Sequence, residues 1–294
     1  MFSKNILAKW FYFGLLVVMF GSAFVLIEIS LKSFSPIGIA FIRVFVAAAL
    51  LLLYAYYCEY DFSITKENFL LLFILGLTGT TLPFLLISWA QLTIDSSETG
   101  ILIGFMPIFT IIGSHYFFSY EKLNAKRTFG FILGFFGLSV LLLNNNAVID
   151  LYGNLLAKLA VIFGALFYAL NALLVKKVKN ITPLQLSAIV MSISAIQLLI
   201  LLLFMNKPIL ISPIIFQDSL LAIIIMSIFS TAVATVIYYK IINDYGPNFL
   251  SLVNYPIPIF AFFAGILFLG ESFNIYSIIS LLLVVIAIYI SQKY

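Results

Sequence analysis

The chain has 294 residues, of which 64% are hydrophobic and 9% are charged, and its formal net charge is +4. Soluble domains carry roughly 25% charged residues, so this composition excludes a water-soluble globular domain and predicts a protein embedded in a lipid bilayer. No basic stripe is long enough to follow a phosphate backbone, so nucleic-acid binding is not expected. One cysteine and one histidine exclude a disulfide framework and a metal cluster built from these residue types.

Apolar segments follow one another along the chain, and each is long enough to cross a bilayer, which takes about 20 residues as a helix. The runs are continuous and not alternating, which excludes membrane strands. The short gaps hold nearly all the charges and leave no room for a soluble domain. The ten predicted spans are 10–31, 36–57, 68–91, 97–118, 128–145, 152–175, 183–205, 217–239, 248–269 and 274–291.

Lysine and arginine residues are unevenly divided between the two sides of the predicted membrane. With the N-terminus in the cytoplasm, eleven of the 15 lie on the inner side and two on the outer side. Positive residues concentrate in cytoplasmic loops, so both termini are predicted to be cytoplasmic. An amino-acid composition rich in Ile, Phe, Asn and Lys is typical of an AT-rich bacterial genome. We therefore expect a multi-pass protein of the bacterial inner membrane.

The two halves of the chain share motifs at an offset of 147 to 151 residues. Five spans is an odd number, so the second half would enter the membrane with the opposite orientation. Residues 1–148 and 149–294 are therefore predicted to be two inverted five-helix repeats, a plan that recurs among secondary transporters. The matching motifs are Met106-Pro107-Ile108-Phe109 before Tyr120-Glu121, Ile257-Pro258-Ile259-Phe260 before Gly270-Glu271, and Ser35-Pro36 against Thr182-Pro183.

These motifs resemble the EamA family of the drug/metabolite transporter superfamily over essentially the whole chain. The family pattern has an aromatic-Gly-Ser in helix one and a Pro and an Arg in helix two, which are Phe20-Gly21-Ser22, Pro36 and Arg43 here. Each half then has a proline followed about thirteen residues later by a Gly-Glu or similar pair. Pro258 precedes Gly270-Glu271 with this spacing, whereas the first half departs from it by one residue. The family commonly has Trp where this chain has Phe20.

The resemblance implies ten helices around a central cavity, with helices three, four, eight and nine near the pathway. It also implies transport of amino acids, purines or related polar metabolites, often as export. We therefore predict a secondary transporter that exports an amino acid or related compound. Uptake or exchange of a nucleoside, a purine or an S-adenosylmethionine-like compound is the alternative, with an intramembrane enzyme as a further one.

No Gly-rich phosphate-binding loop is present, so the energy is expected to come from a gradient, from exchange or from protons. One histidine, one cysteine and scattered carboxylates supply no catalytic set, and no enzyme activity, cofactor or metal is expected. The expected partners are a small-molecule substrate and the lipid bilayer, and the protein is predicted to be a monomer or a homodimer.

Glu28, Arg43, Lys158 and His115 lie well inside predicted spans, where a charge is costly unless it is paired or hydrated. Glu28, Arg43 and Lys158 are predicted at similar depth below the outer boundary. They would form a charged layer that binds or gates a zwitterionic or anionic substrate. Alternatively, Glu28 and Arg43 form a structural ion pair while Lys158 reaches outward. His115 would carry a coupling proton or bond a neighbouring helix.

Uncharged polar and aromatic residues give a second set of substrate-pathway candidates. Trp89 and Gln91 close span three and would form an outer gate, or an interfacial belt and helix cap. The remaining candidates are Ser22, the pair Tyr168 and Asn171 on one face of span six, and the pair Asn254 and Tyr255.

Three prolines mark predicted helix bends. Pro107 in span four corresponds to Pro258 in span nine, where Pro256 lies two residues earlier. Prolines remove backbone donors and free carbonyl groups, and irregular backbone within a membrane is tolerated only in protein or against a wet cavity. These bends are predicted to line the pathway, with packing kinks as the alternative. The spacing Gly76-xx-Gly79 predicts a close approach of neighbouring helices.

Overall fold

A computed structural model of the chain describes residues 6–60, 66–94, 96–117, 125–142, 155–206, 208–260 and 275–293. Their regular structure is helical, apart from one isolated β-bridge between Phe34 and Leu210. This confirms the all-helical prediction for these residues. The helices are α1 (Ile6–Leu31), α2 (Pro36–Tyr57), α3 (Lys66–Gly76), α4 (Leu82–Ala90), α5 (Ser96–Ile103), α6 (Met106–Phe117), α7 (Ala125–Leu142), α8 (Leu155–Val175), α9 (Pro183–Met205), α10 (Phe216–Ser227), α11 (Ala234–Tyr245), α12 (Pro247–Ser251), α13 (256–260) and α14 (Ile275–Lys293).

Seven helical runs in the described residues are long and apolar enough to cross a membrane. Two shorter apolar helices, Thr128–Gly137 and Ile278–Ser291, add to them. The predicted spans 128–145 and 248–269 extend outside the described residues, so a total of ten spans stays a prediction. The seven runs are Ile6–Leu31, Pro36–Tyr57, Asn68–Ala90, Glu98–Phe117, Leu155–Val175, Pro183–Met205 and Phe216–Tyr245.

Two of these runs contain a π-helical turn. The turn Leu77–Thr81 joins α3 to α4, and the turn Ile228–Val233 joins α10 to α11. The turns begin 151 residues apart, an offset that falls within the range of the sequence repeat. Short π-helical insertions are often found at functional sites.

The starts of α2 and α9 follow from the local sequence. Ser35 precedes Pro36, and its hydroxyl accepts a hydrogen bond from the backbone N–H of Gly38. Thr182 precedes Pro183 and forms a capping box with Gln185. A proline in the first turn and a hydroxyl cap before it both favour helix initiation, which confirms the predicted starts of these two helices.

Helices from the two halves of the chain pack against each other, since α2 lies along α9, α4 along α8 and α7 along α14. The segment between α1 and α2 also meets the segment before α10. Here Ser35 donates from its N–H to Ile209 O (2.9 Å) and from its hydroxyl to Pro208 O (2.6 Å). The halves therefore form one packed unit, with their shared surface at its centre.

The outer surface of the helices is strongly apolar. Large side chains on α2, α3, α9 and α14 are more than half exposed, as a surface solvated by lipid requires. Examples are Leu53 (67%), Leu70 (66%), Leu203 (72%) and Leu282 (56%).

Candidate functional site

A cavity lies between the two halves and is lined by residues from α1, α2, both π-helical turns, α4, α8, α11 and the segment after α12. Its volume is about 80 Å³, whereas a single water molecule needs roughly 10–15 Å³ on this measure. The wall is mainly apolar and aromatic, with a few polar groups, as is usual for small-molecule sites. The aromatic members are Phe20, Phe24, Phe84, Tyr168, Tyr238 and Tyr239, and the polar members are Arg43, Thr80, Asn171, Ser230, Thr235 and Asn254.

Each π-helical turn presents a hydroxyl group at the cavity. The side chains of Thr80 and Ser230 are each 1% exposed, and their oxygens have no hydrogen-bond partner among the described residues. Buried polar atoms are nearly always bonded, and leaving one unbonded costs about 1–3 kcal/mol. The two hydroxyls lie at corresponding places in the two halves. Each could donate a hydrogen bond to a small polar ligand or accept one from it.

Asn171 fixes the first π-helical turn from α8. Its amide nitrogen donates to Leu75 O (3.0 Å) and contacts the hydroxyl of Thr78 (3.4 Å), while Tyr238 donates to the amide oxygen (3.3 Å). Gly79 lies directly against this amide, because a methyl group built there would lie 2.7 Å from Asn171 Cγ. The glycine therefore lets α8 approach the turn closely, as the Gly76-xx-Gly79 spacing predicted.

A second set of bonds reaches the same turn from α9, and sequence reasoning missed it. Gln197 donates from its amide to Phe73 O (3.0 Å) and accepts from the hydroxyl of Thr81 (2.7 Å). Ser194 contacts Gly76 O at 3.3 Å. The only sequence signal was that Ser194 and Gln197 are polar residues within a mainly apolar span, and such residues typically bond neighbouring helices.

Arg43 projects from α2 onto the second π-helical turn and is 4% exposed. Its Nε donates to the hydroxyl of Thr231, and its Nη2 donates to Ser230 O (3.0 Å). The Phe84 ring lies 3.9 Å from the guanidinium carbon, at a distance suited to a cation–π contact. Thr231 donates in turn to Met226 O (3.0 Å), which aims its oxygen lone pairs at the arginine.

Asn254 lies at the opposite wall, in the 3₁₀ turn Leu252–Asn254. Its amide nitrogen donates to Ser251 O (3.0 Å) and contacts the Met106 sulfur (3.0 Å). Asn254 is 9% exposed and lines the cavity, and its side-chain oxygen is not bonded to any described residue. Asn254 thus joins the start of α6 to the segment before α13.

The sequence of the chain was compared with those of known protein families. The model of the EamA-like transporter family matches residues 8–143 and 155–292. The chain belongs to the EamA-like transporter family. This confirms the resemblance described above and makes the protein a membrane transporter.

The uncharacterized transporter YoaV of Bacillus subtilis is 24% identical to this EamA-like transporter over 276 residues, which cover 93% of each chain. An uncharacterized transporter of Archaeoglobus fulgidus is 25% identical and covers 96% of this chain and 98% of its own. A solved crystal structure with 13% identity has a TM-score of 0.80 over 97% of this chain and 96% of that chain, a likeness that concerns the fold alone.

The structure of the EamA-like transporter brings four of the predicted residues together. Arg43, Tyr168, Asn171 and Asn254 line one cavity, although they come from α2, α8 and the segment after α12. Whether they bind the substrate stays a prediction.

Four other predicted pathway residues lie outside the lining of this cavity. Ser22 donates to a carbonyl of its own helix, and Trp89 is 45% exposed on the outer surface. Gln91 donates to Phe24 O (3.2 Å), and Tyr255 donates to Phe131 O (2.6 Å). These side chains bond to their own helix, bond to other segments or face outward, and a role for them in the pathway stays a prediction.

The charged residues do not form the predicted Glu28–Arg43 ion pair, whereas a role for them in binding or gating substrate stays a prediction. Glu28 is exposed, whereas the guanidinium of Arg43 is bonded to the second π-helical turn, so the expected Glu28–Arg43 ion pair is wrong. Lys158 forms an ion pair with Glu98, with 3.1 Å between Nζ and Oε1, and whether it reaches toward the outer boundary stays a prediction. His115 is exposed, and its ring centre lies 5.2 Å from that of Tyr116.

The prolines lie next to breaks in the helices. Pro107 is the second residue of α6, just after the interruption at Gly104 and Phe105 that separates it from α5. Pro256 begins α13, and Pro258 lies within it, against Gly100. In the described residues no group of three His, Cys, Asp or Glu side chains is placed to hold a metal ion.

Proposed function

We propose that this transporter is a secondary carrier that exports a small polar metabolite, an amino acid or a related compound, across a bacterial inner membrane. The observation that carries the proposal is the central cavity, whose lining combines the amides of Asn171 and Asn254 with a buried hydroxyl from each half that has no partner among the described residues. Such groups orient a polar ligand, and the surrounding aromatic side chains suit its apolar part.

The charges of the cavity lining support a neutral, zwitterionic or anionic substrate. The lining contains Arg43 but no aspartate or glutamate among the described residues. A net cation such as S-adenosylmethionine would therefore meet an uncompensated positive charge in a low-dielectric site. A purine or nucleoside is the second candidate, because the aromatic wall offers stacking surfaces and the two amides offer base-edge partners.

The proposed mechanism is alternating access around this cavity. Two inverted repeats of five helices would present equivalent turns to the two membrane faces, and the corresponding π-helical turns support this arrangement. The Glu98–Lys158 ion pair joins α5 to α8, one from each half, and would close the outer entrance. Both termini would lie in the cytoplasm.

Counterflow in proteoliposomes tests the carrier function. Labelled neutral amino acids, purines and nucleosides are offered to vesicles loaded with the same unlabelled compound. We expect saturable counterflow of one class, lowered at least tenfold by Asn171→Ala and by Asn254→Ala, because each change removes a polar group from the cavity wall. The exposed Lys177 provides the control, and Lys177→Gln should retain the wild-type rate.

The result that would contradict the proposal is the absence of counterflow for every compound with protein shown to be folded. Counterflow that persists in both asparagine variants would support the carrier function but indicate that the substrate binds outside this cavity.

A further inference from the structure

Arg43 is an unusual group to find inside an apolar bundle, because no carboxylate among the described residues forms an ion pair with it. Its positive charge is met by the Thr231 hydroxyl, the Ser230 carbonyl and the face of Phe84. These are dipoles and a quadrupole, not a counter-charge. A buried charge is costly unless it is paired as well as hydrogen-bonded.

The guanidinium also keeps unused donors. It carries five N–H groups in a fixed fork, and two of them, one on Nε and one on Nη2, have acceptors among the described residues. Three remain, on the terminal nitrogens that carry bidentate contacts to carboxylates in proteins. Arg43 is part of the cavity lining, so a ligand in the cavity is within reach of the fork.

The second π-helical turn holds the fork in place. Thr231 donates to Met226 O, five residues earlier, as the wider turn permits. The hydroxyl and the neighbouring Ser230 carbonyl then fix one edge of the guanidinium, and Phe84 covers one face. A donor group held before the ligand arrives binds it with less loss of conformational freedom.

The unbonded hydroxyl of Ser230 lies beside this fork, on the residue whose carbonyl Arg43 contacts. A carboxylate oxygen has lone pairs enough to accept from both groups. The cavity therefore combines a cation that pairs with no carboxylate of the described residues, three N–H donors of its guanidinium left over, and the unbonded hydroxyl of Ser230.

We propose that Arg43 is the anion-binding group of the cavity and that the transported metabolite carries a carboxylate which docks on its guanidinium. This inference rests on the proposed carrier function and narrows its substrate to carboxylates. Purines and nucleosides, which carry no carboxylate, are excluded by it. Because the rest of the cavity wall is largely aromatic, the part of the metabolite next to its carboxylate is expected to be apolar.

The sequence allows a direct test, since it contains two arginines, Arg43 and Arg127. In the Arg127→Lys protein every arginine adduct of the reagent phenylglyoxal is an adduct of Arg43. Labelling is followed by mass spectrometry in proteoliposomes with 3-phenylpropionate, L-phenylalanine or the amide of each. We expect at least one acid to slow labelling tenfold or more and its amide to leave the rate unchanged, because only the acid offers a carboxylate.

Three outcomes would overturn the proposal: equal rates with and without both acids, equal protection by an acid and its amide, or no labelling of Arg43 in the folded protein. The assay needs no substitution at Arg43, so a folding defect in an Arg43 variant cannot obscure it. Protection by an acid in protein that shows no counterflow would leave anion binding intact and refute the carrier function alone.

A flux measurement complements the labelling. With the carboxylate that protects Arg43, Arg43→Gln is expected to raise the half-saturating concentration at least tenfold, and Arg43→Lys by less. Lys177→Gln removes the same charge from the surface and should change nothing. Equal kinetics for Arg43→Gln and wild type would contradict the assignment.

Discussion

Gly79→Ala is expected to lower counterflow at least tenfold and to destabilise the protein by about 1–3 kcal/mol, the usual cost of unmaking a buried hydrogen bond. The added methyl group would lie 2.7 Å from Asn171 Cγ and 3.0 Å from Asn171 Oδ1. Asn171 is fully buried, so its amide cannot move away without releasing Leu75 O and Tyr238. The first π-helical turn would then lose its anchor on α8.

Gly14→Ala is the matched control for this prediction. Gly14 also lies within a long apolar helix, but a methyl group built there meets no atom within 4 Å. Alanine has the higher helix propensity by about 0.8–1.0 kcal/mol, so this variant should be as stable as wild type or slightly more so. The thermal unfolding midpoint and the initial counterflow rate are measured for both variants. Equal unfolding midpoints and equal counterflow rates of Gly79→Ala and Gly14→Ala would show that the close contact with Asn171 affects neither stability nor transport.

Reversing one charge of the Glu98–Lys158 pair is the second change with a large expected effect. Lys158→Glu would place two carboxylates where Nζ and Oε1 now lie 3.1 Å apart, with side chains only 11% and 25% exposed. Breaking a buried pair typically costs roughly 3–5 kcal/mol, and the partial exposure places this pair at the lower end. We expect loss of counterflow and a lower unfolding midpoint.

The double variant Glu98→Lys, Lys158→Glu restores opposite charges at the same place. It should recover most of the stability and transport lost in either single variant, because the interaction depends on the pair and not on which helix carries which sign. Additive damage in the double variant would contradict a direct interaction between α5 and α8. Stability restored without transport would mean that the pair holds the helices together but has no part in opening the entrance.

Local sequence signals predicted the helix starts at Pro36 and Pro183, because a hydroxyl cap and a proline act within one turn of helix. The π-helical turns were not predicted. Each lies inside an uninterrupted apolar run, and the bonds that hold the first one come from Asn171 and Gln197, about 100 residues away.

The sequence predicts the position of a residue along its helix but not its direction around the helix axis. An ion pair between Glu28 and Arg43 was one of the two interpretations that their similar predicted depth suggested. Arg43 instead turns toward Thr231 in the second half, whereas Glu28 is exposed. Helices that are hydrophobic all round carry no stripe that tells the packed side from the lipid side. For the same reason the sequence did not decide between an outer gate and an interfacial belt for Trp89, which is 45% exposed, whereas Asn171 lines the cavity as predicted.

Alternating access requires that the cavity opens to both sides of the membrane, and one introduced cysteine tests this most directly. Cys58 is exposed and is the only cysteine of the chain, so Cys58→Ser gives a cysteine-free background. Thr235→Cys then places one small thiol on the cavity wall.

A charged, membrane-impermeant methanethiosulfonate is added to right-side-out and to inverted vesicles. Alternating access predicts labelling from both sides, slowed by transported substrate in each case. Labelling from one side only, with and without substrate, would contradict it.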